Sequence, residues 1–189
     1  MTDPSPDITG ESPRTYRSGP SDPVRFTDGP GTWAETPVAA PIEDVWAAVT
    51  DINLPARFSG EFLGARWKTT GPAPGACFVG RNRHPAVGEW RTESFVTEFE
   101  PHRVFGWAVS DPDNPGARWR FVLDPSGPSG DRCRLRFEVT LGPGPSGTTA
   151  AIAAMPDKES RIIHRRLNEL HANMARTVAG IRDLIEARR

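Results

Sequence analysis

The stretch from Pro156 to Arg189 restricts the fold of this chain more than any other. Its apolar positions are Ile163, Leu167, Leu170, Met174, Val178, Ile181 and Leu184/Ile185. They recur every three or four residues, the period of a single buried stripe on a helix. No proline follows Pro156, and Gly180 is the only glycine. Such a helix is roughly 50 Å long at 1.5 Å per residue. An antiparallel sheet of six or seven strands, ~4.8 Å apart, is only about 30–35 Å wide. The helix therefore crosses a whole sheet, yet one helix cannot fill a curved sheet's concave face. The space left over predicts a cavity, where a ligand site is expected.

The sheet is supplied by residues 32–141. Segments 32–39, 62–69, 76–84, 89–100, 103–110, 117–124 and 132–141 read as strands, separated by turn chemistry such as Thr70–Gly75, Pro85–Gly88 and Asp111–Gly116. Phe105, Trp107 and Val109 share a face. Trp119, Phe121 and Leu123 share another, with Arg118 and Arg120 opposite. Cys133, Leu135, Phe137, Val139 and Leu141 alternate with Arg132, Arg134, Arg136 and Glu138. One apolar and one charged face mark an antiparallel sheet wet on one side, and the gaps are too short for parallel crossovers. Between the first two strands, Pro41 opens a short helix that fades near Asp51. Glu43 and Asp44 lie at its positive end, and Val45, Trp46 and Val49 form its buried stripe. Leu54–Phe58 reads as one more turn. Strand, helix, six-strand meander and long helix make an α+β domain with its helices on one face.

Residues 1–31 are rich in Pro, Gly, Ser, Thr and Asp and poor in apolar side chains, so they read as a flexible tail ahead of one domain at 32–189. Lys and Arg total 23 against 24 Asp and Glu, which leaves no overall basic footprint for nucleic acid. No apolar run is long enough to span a membrane, and no basic-then-apolar leader precedes the domain. A cytoplasmic location is expected, with Cys77 and Cys133 as two unpaired thiols. No zinc-ligand spacing appears, and no metal or cofactor is expected. Gly142–Gly147 has the letters G-x-G-x-x-G, but Pro143 and Pro145 lack the N–H groups a pyrophosphate needs, and no strand follows to complete a βαβ unit. It reads as a flexible loop beside the cavity.

The motifs carry a resemblance. Val38-Ala-Ala-Pro-Ile-Glu-Asp-Val-Trp46, Val49-Thr-Asp51, Phe58-Ser-Gly-Glu61, Ala65-Arg-Trp67, Pro74–Phe78 with Gly80–Arg83, Trp90-Arg-Thr92, Val96–Pro101 and Ala117–Phe121 are similar to the START-like superfamily. Within it they resemble the polyketide cyclase/dehydrase SRPBCC proteins of actinobacteria. The resemblance runs from about Thr32 to the C-terminus and implies the helix-grip fold, a curved antiparallel sheet of about seven strands wrapped around a long C-terminal helix. It specifies fold far better than function, because the superfamily includes cyclases, lipid carriers, receptors and chaperone-binding modules.

Three groups of residues are candidates for the site. Trp67, Phe78, Trp90, Phe95, Trp107, Trp119 and Phe121 serve as core packing, and some are expected to line a pocket and stack on a flat apolar ligand. Asn82, His84 and Glu89 flank one hairpin among Arg81, Arg83 and Arg91. If Phe78 points inward, so do Asn82 and His84. There Asn82 or one of the arginines would stabilise an enolate oxygen while His84 or Glu89 moves a proton, as aldol-type closure of a poly-β-ketone requires. A solvated hairpin is the competing reading. His164, Asn168 and His171 form a stripe beside the helix's apolar seam, where His164 and Asn168 would touch a ligand and Arg161 and Arg165 an acidic one.

Two functions from different classes follow. One is binding of a hydrophobic or aromatic small molecule between sheet and helix. The other is a polyketide cyclase/aromatase or dehydratase acting in that cavity. A weaker third is a protein-interaction module using Arg132, Arg134 and Arg136. Exposed sheet edges also allow a homodimer.

Overall fold

The structure is a computed structural model that describes residues 23–127 and 130–189. Seven strands form one antiparallel sheet: β1 (Gly31–Val38), β2 (Phe62–Trp67), β3 (Cys77–His84), β4 (Gly88–Glu100), β5 (Val104–Val109), β6 (Ala117–Ser126) and β7 (Arg132–Leu141), in the order β1-β7-β6-β5-β4-β3-β2. Consecutive strands from β2 to β7 are neighbours, so the meander forms from local hairpins, and β1 closes against β7. The first helix, α1 (Ile42–Val49), follows β1 after Pro41, and Leu54–Arg57 makes a 3₁₀ turn. The expected elements and the helix-grip fold are therefore present.

The long helix, α3, runs Glu159–Glu186 after a 3₁₀ turn at Pro156–Lys158. Its seam, Ile163, Leu167, Leu170, Met174, Val178, Ile181 and Ile185, is buried against the sheet's apolar face. Each such side chain contributes roughly 1.5–3 kcal/mol of burial. Thr177 is buried on the same seam, and its hydroxyl donates to Asn173 O at 2.9 Å, so burial leaves no orphaned group. The helix lies alongside β1: His171 meets Trp33 O, Arg182 meets Thr36 Oγ1, and Glu186 accepts from Ala39 N. Its other flank holds the chain between α1 and β2, so the helix is gripped from both sheet edges.

Two expectations change. The segment after β7 is not a free loop. Gly142 N and Gly144 N donate to Gly116 O and Pro115 O, at 3.1 and 3.0 Å. A Cβ on Gly144 would lie 2.0 Å from Asn114 O, so these glycines permit close docking onto the β5–β6 turn. Next comes a short helix, α2 (Gly147–Ala154), where a loop was expected. Ser146 caps it by accepting from Thr149 N while Thr149 reaches back to Ser146 N. The end of the expected tail, from Val24 on, also docks on the domain. Val24 N and Phe26 N bind Ser160 Oγ and Glu159 Oε1 at the start of α3, and both side chains pack on the core. Residues 1–22 of the expected tail lie outside the described residues. Cys77 and Cys133 are both free thiols, on strands separated by β4, β5 and β6.

Candidate functional site

Register decides which side chains meet on the concave face. Phe78 is opposite Ser94, Gly80 opposite Thr92, and Asn82 opposite Trp90. On β2, Phe62 is opposite Asn82 and Trp67 opposite Phe78. Trp107 is opposite Val96 and Trp119. These residues face α3 together.

The deep part of this face is an aromatic cluster centred on Trp107. Its ring lies 5.9 Å from Phe78, 5.4 Å from Phe105, 6.0 Å from Phe121, 6.1 Å from Phe137 and 6.4 Å from Trp119, nearly parallel to the last at 8°. Trp67 extends the cluster through Phe78, 5.3 Å away. Phe78, Phe105, Phe121 and Phe137 are buried, whereas Trp67, Trp107 and Trp119 keep partial solvent contact. The three indoles are thus the surface that the cluster still offers.

Polar groups border it along β3 and β4. Asn82 Nδ2 donates to Thr92 Oγ1 at 3.3 Å, beside buried Ser94. His84 lies two residues further out on the same face. Its Nδ1 accepts from Ala86 N at 3.2 Å, so Nε2 carries the hydrogen of the neutral ring and faces Glu169 Oε2 on α3, 3.6 Å away. This is the mouth of the grip, a solvent-open pocket of about 290 Å³ lined by His84, Glu61, Glu169, Asn173 and Arg176.

The mouth wall is held by the helix flank that sequence reasoning overlooked. Arg166 donates to both Glu61 oxygens, at 2.8 and 2.6 Å, and approaches Glu169 at 3.7 Å. Burial works against its charge, but the Glu61 hydrogen bonds and the two carboxylates outweigh it and raise the guanidinium above its ordinary value. Asn173 accepts from Gly60 N at 3.0 Å and from Arg176. Arg166, Glu169, Asn173 and Arg176 have the same three-and-four spacing as His164, Asn168 and His171. The signal was present on both flanks of the seam, but local spacing does not tell which flank faces which sheet edge.

The structure corrects part of the candidate set. Phe95 is opposite Cys77 and Ala108, on the convex side, away from Phe78 and Trp107. Glu89 also points outward, 3.9 Å from Arg83, because it is one residue out of phase with Trp90. The carboxylate near His84 is Glu169 instead. His171 bonds to Trp33 O, and Ser160, earlier on the same flank, to Val24 N, so the stripe follows the β1 edge. His164 is half-buried there and Asn168 is exposed. Asn82, His84, Trp67, Phe78, Trp90, Trp107, Trp119 and Phe121 all face inward. Neither the mouth nor an open pocket of about 330 Å³ on the convex side is the cavity expected between sheet and helix. The arginine strand is largely self-neutralised: Arg136 pairs with Glu35 and Glu138 and covers Trp33, and Arg134 pairs with Asp124.

Among known sequences, the family described as polyketide cyclase/dehydrase and lipid transport matches residues 16–175. The chain belongs to that family. A polyketide-cyclase-like protein from Corynebacterium glutamicum, Cgl2372, is 28% identical with a TM-score of 0.60, over 84% of this chain and 92% of that one. The Zhui aromatase/cyclase of Streptomyces sp. R1128 is 16% identical, TM-score 0.57, over 84% and 94%. The di-domain aromatase/cyclase StfQ of the steffimycin pathway is 15% identical, TM-score 0.60, over 84% of this chain and 51% of that one. The last two likenesses are of fold alone. No functionally curated protein matches the sequence. Among the described residues, no helix is long and apolar enough to cross a membrane, and no group of side chains is arranged to hold a metal.

Proposed function

We propose that the chain binds a hydrophobic, aromatic small molecule against the concave face of its sheet. The observation that carries this reading is the set of half-buried indoles, Trp67, Trp107 and Trp119, capping an otherwise buried aromatic cluster beside the polar strip Asn82–Thr92–His84. A flat ligand stacks on the indoles, and its polar end lies toward Asn82 and the mouth. The test is a titration with 1-anilinonaphthalene-8-sulfonate, an amphipathic aromatic probe, read by tryptophan quenching. Trp107→Leu is expected to weaken binding about tenfold, the loss of roughly 1.4 kcal/mol of stacking and burial. An unchanged affinity refutes the site.

A second reading is favoured by one further observation. Asn82 and His84 share the inner face, and His84 presents Nε2 to Glu169. In a cyclase or dehydratase acting on a poly-β-ketone, Asn82 would donate to the enolate oxygen, and Glu169, with His84 Nε2–H beside it, would take up the proton at the mouth. His84→Gln that keeps probe binding but abolishes turnover of a bound poly-β-ketone analogue supports chemistry. Unaltered turnover leaves binding alone.

A further inference from the structure

Charges on the convex face of the sheet are balanced in pairs. Arg120 pairs with Glu98 and Glu138, Arg136 with Glu35 and Glu138, Arg134 with Asp124, Lys68 with Glu93, and Arg83 with Glu89. Four arginines break the pattern: Arg132 at the start of β7, and three that stand together. Arg66 on β2, Arg81 on β3 and Arg91 on β4 have no ion pair, side-chain hydrogen bond or ring contact among the described residues. Arg81 and Arg91 stand directly opposite each other in register, a like-charge cross-strand pair that opposes folding. Arg66, opposite Val79, is one diagonal step from Arg81. With strands about 4.8 Å apart, the three side chains are rooted within roughly 12 Å of one another.

Between them lies the convex pocket of about 330 Å³, with Leu63 and Val79 in its lining. Asn53 completes it. Its Oδ1 is occupied by Ala65 N at 2.8 Å, which leaves its amide hydrogens as donors. The side chains thus offer hydrogen-bond donors and positive charge over an apolar floor. Protection of a sheet edge would account for a charge on β2, but not for Arg81 and Arg91, which are on interior strands.

We infer that this pocket binds a compact phosphorylated small molecule. Arg81 and Arg91 hold the phosphate in a bidentate grip, Arg66 closes the third side, and the organic part lies on Leu63 and Val79. A dianion between Arg81 and Arg91 turns their repulsion into attraction, which accounts for an unfavourable pair with no structural benefit. Glu89 and Glu93 bracket Arg91 on the same face of β4 and confine the positive patch to one phosphate's footprint. A nucleic-acid backbone needs a longer basic track.

Calorimetric titration with inorganic phosphate and with phenyl phosphate, at ionic strength matched with sodium chloride, tests the proposal on the full chain. Both are expected to bind saturably, phenyl phosphate more tightly because it also covers Leu63 and Val79. Arg91→Gln and Arg81→Gln each lower phenyl phosphate affinity about tenfold or more, as loss of a charge-assisted contact requires. In the same variants the Tm holds or rises, because the like-charge pair is gone. Arg134→Gln, on the same face but paired with Asp124, leaves binding intact. Absence of saturable binding, unchanged affinity in Arg91→Gln, a fall in its Tm, or equal loss in Arg134→Gln overturns the proposal. So does tighter, Arg91-dependent binding of a single-stranded oligonucleotide, which assigns the patch to nucleic acid.

Discussion

Gly180→Ala separates what the helix prefers from what the tertiary contact allows. In an isolated helix, alanine in place of an interior glycine contributes about 1 kcal/mol of stability. Here a Cβ at position 180 would lie 2.2 Å from Phe58 Cδ1, 2.5 Å from Cγ and 2.6 Å from Cε1. Carbon atoms in contact sit about 3.5–4.0 Å apart, so the ring or the helix must retreat by more than 1 Å. Phe58 has little freedom to comply. It directly follows the 3₁₀ turn Leu54–Arg57, and two residues on, Gly60 is tied to Asn173 of the same helix. Overpacking of this kind costs about 1–3 kcal/mol. The net expectation is a loss of about 1 kcal/mol, or ~3 °C in Tm for a chain of this size. With Phe58→Ala in place the clash is gone, and Gly180→Ala should then stabilise by about 1 kcal/mol. Urea unfolding of the four proteins in the cycle gives the coupling, expected near 2 kcal/mol with m unchanged. If Gly180→Ala stabilises the protein while Phe58 is present, the close approach of the helix to the mouth wall is refuted.

Two further outcomes are expected. Glu61→Gln strips Arg166 of its bidentate partner while leaving the guanidinium three-quarters buried, with a side-chain exposure of 23%. This should cost about 1–3 kcal/mol in chemical unfolding, and an effect below about 0.3 kcal/mol would mean the pair is solvent-compensated. Cys133 is fully buried, and burial, reinforced by the charge of Asp124, pushes its thiol up from 9.0 to about 11. A raised folded-state value means that the neutral thiol is favoured by folding. Its contribution is whole below pH 9 and is lost as pH rises from 9 to about 11, about 3 kcal/mol. Cys133→Ala should flatten the stability profile in that window, and equal slopes in the two proteins would contradict the assignment.

Much of the fold was legible because its signals are local. The turns at Thr70–Gly75 and Asp111–Gly116, and the alternation from Cys133 to Leu141, mark strands through two-residue periodicity alone. The α2 helix was missed for an equally local reason. Gly147–Ala154 contains small residues with no amphipathic stripe, so only the cap at Ser146 and Thr149 announced it. Asn82 and His84 share the face of Phe78, as alternation along one strand predicts. Glu89 was grouped with them by proximity in sequence, although its phase places it with Arg83 on the other face.

The sequence by itself determined the kinds and order of the elements, the antiparallel pairing and the apolar seam of α3. These follow from side-chain periodicity and turn chemistry, which a short window of residues contains. Only the tertiary structure decided how the helix rolls in its grip. The stripe with His171 meets β1, the Arg166–Asn173 flank meets Gly60 and Glu61, and Glu169 arrives beside His84. That rotation depends on how the seam packs against all seven strands at once, and on sheet curvature that brings β1 and β2 to opposite flanks of one helix. The same non-local register set Arg81 against Arg91, leaving a basic pocket on the face that faces away from the helix.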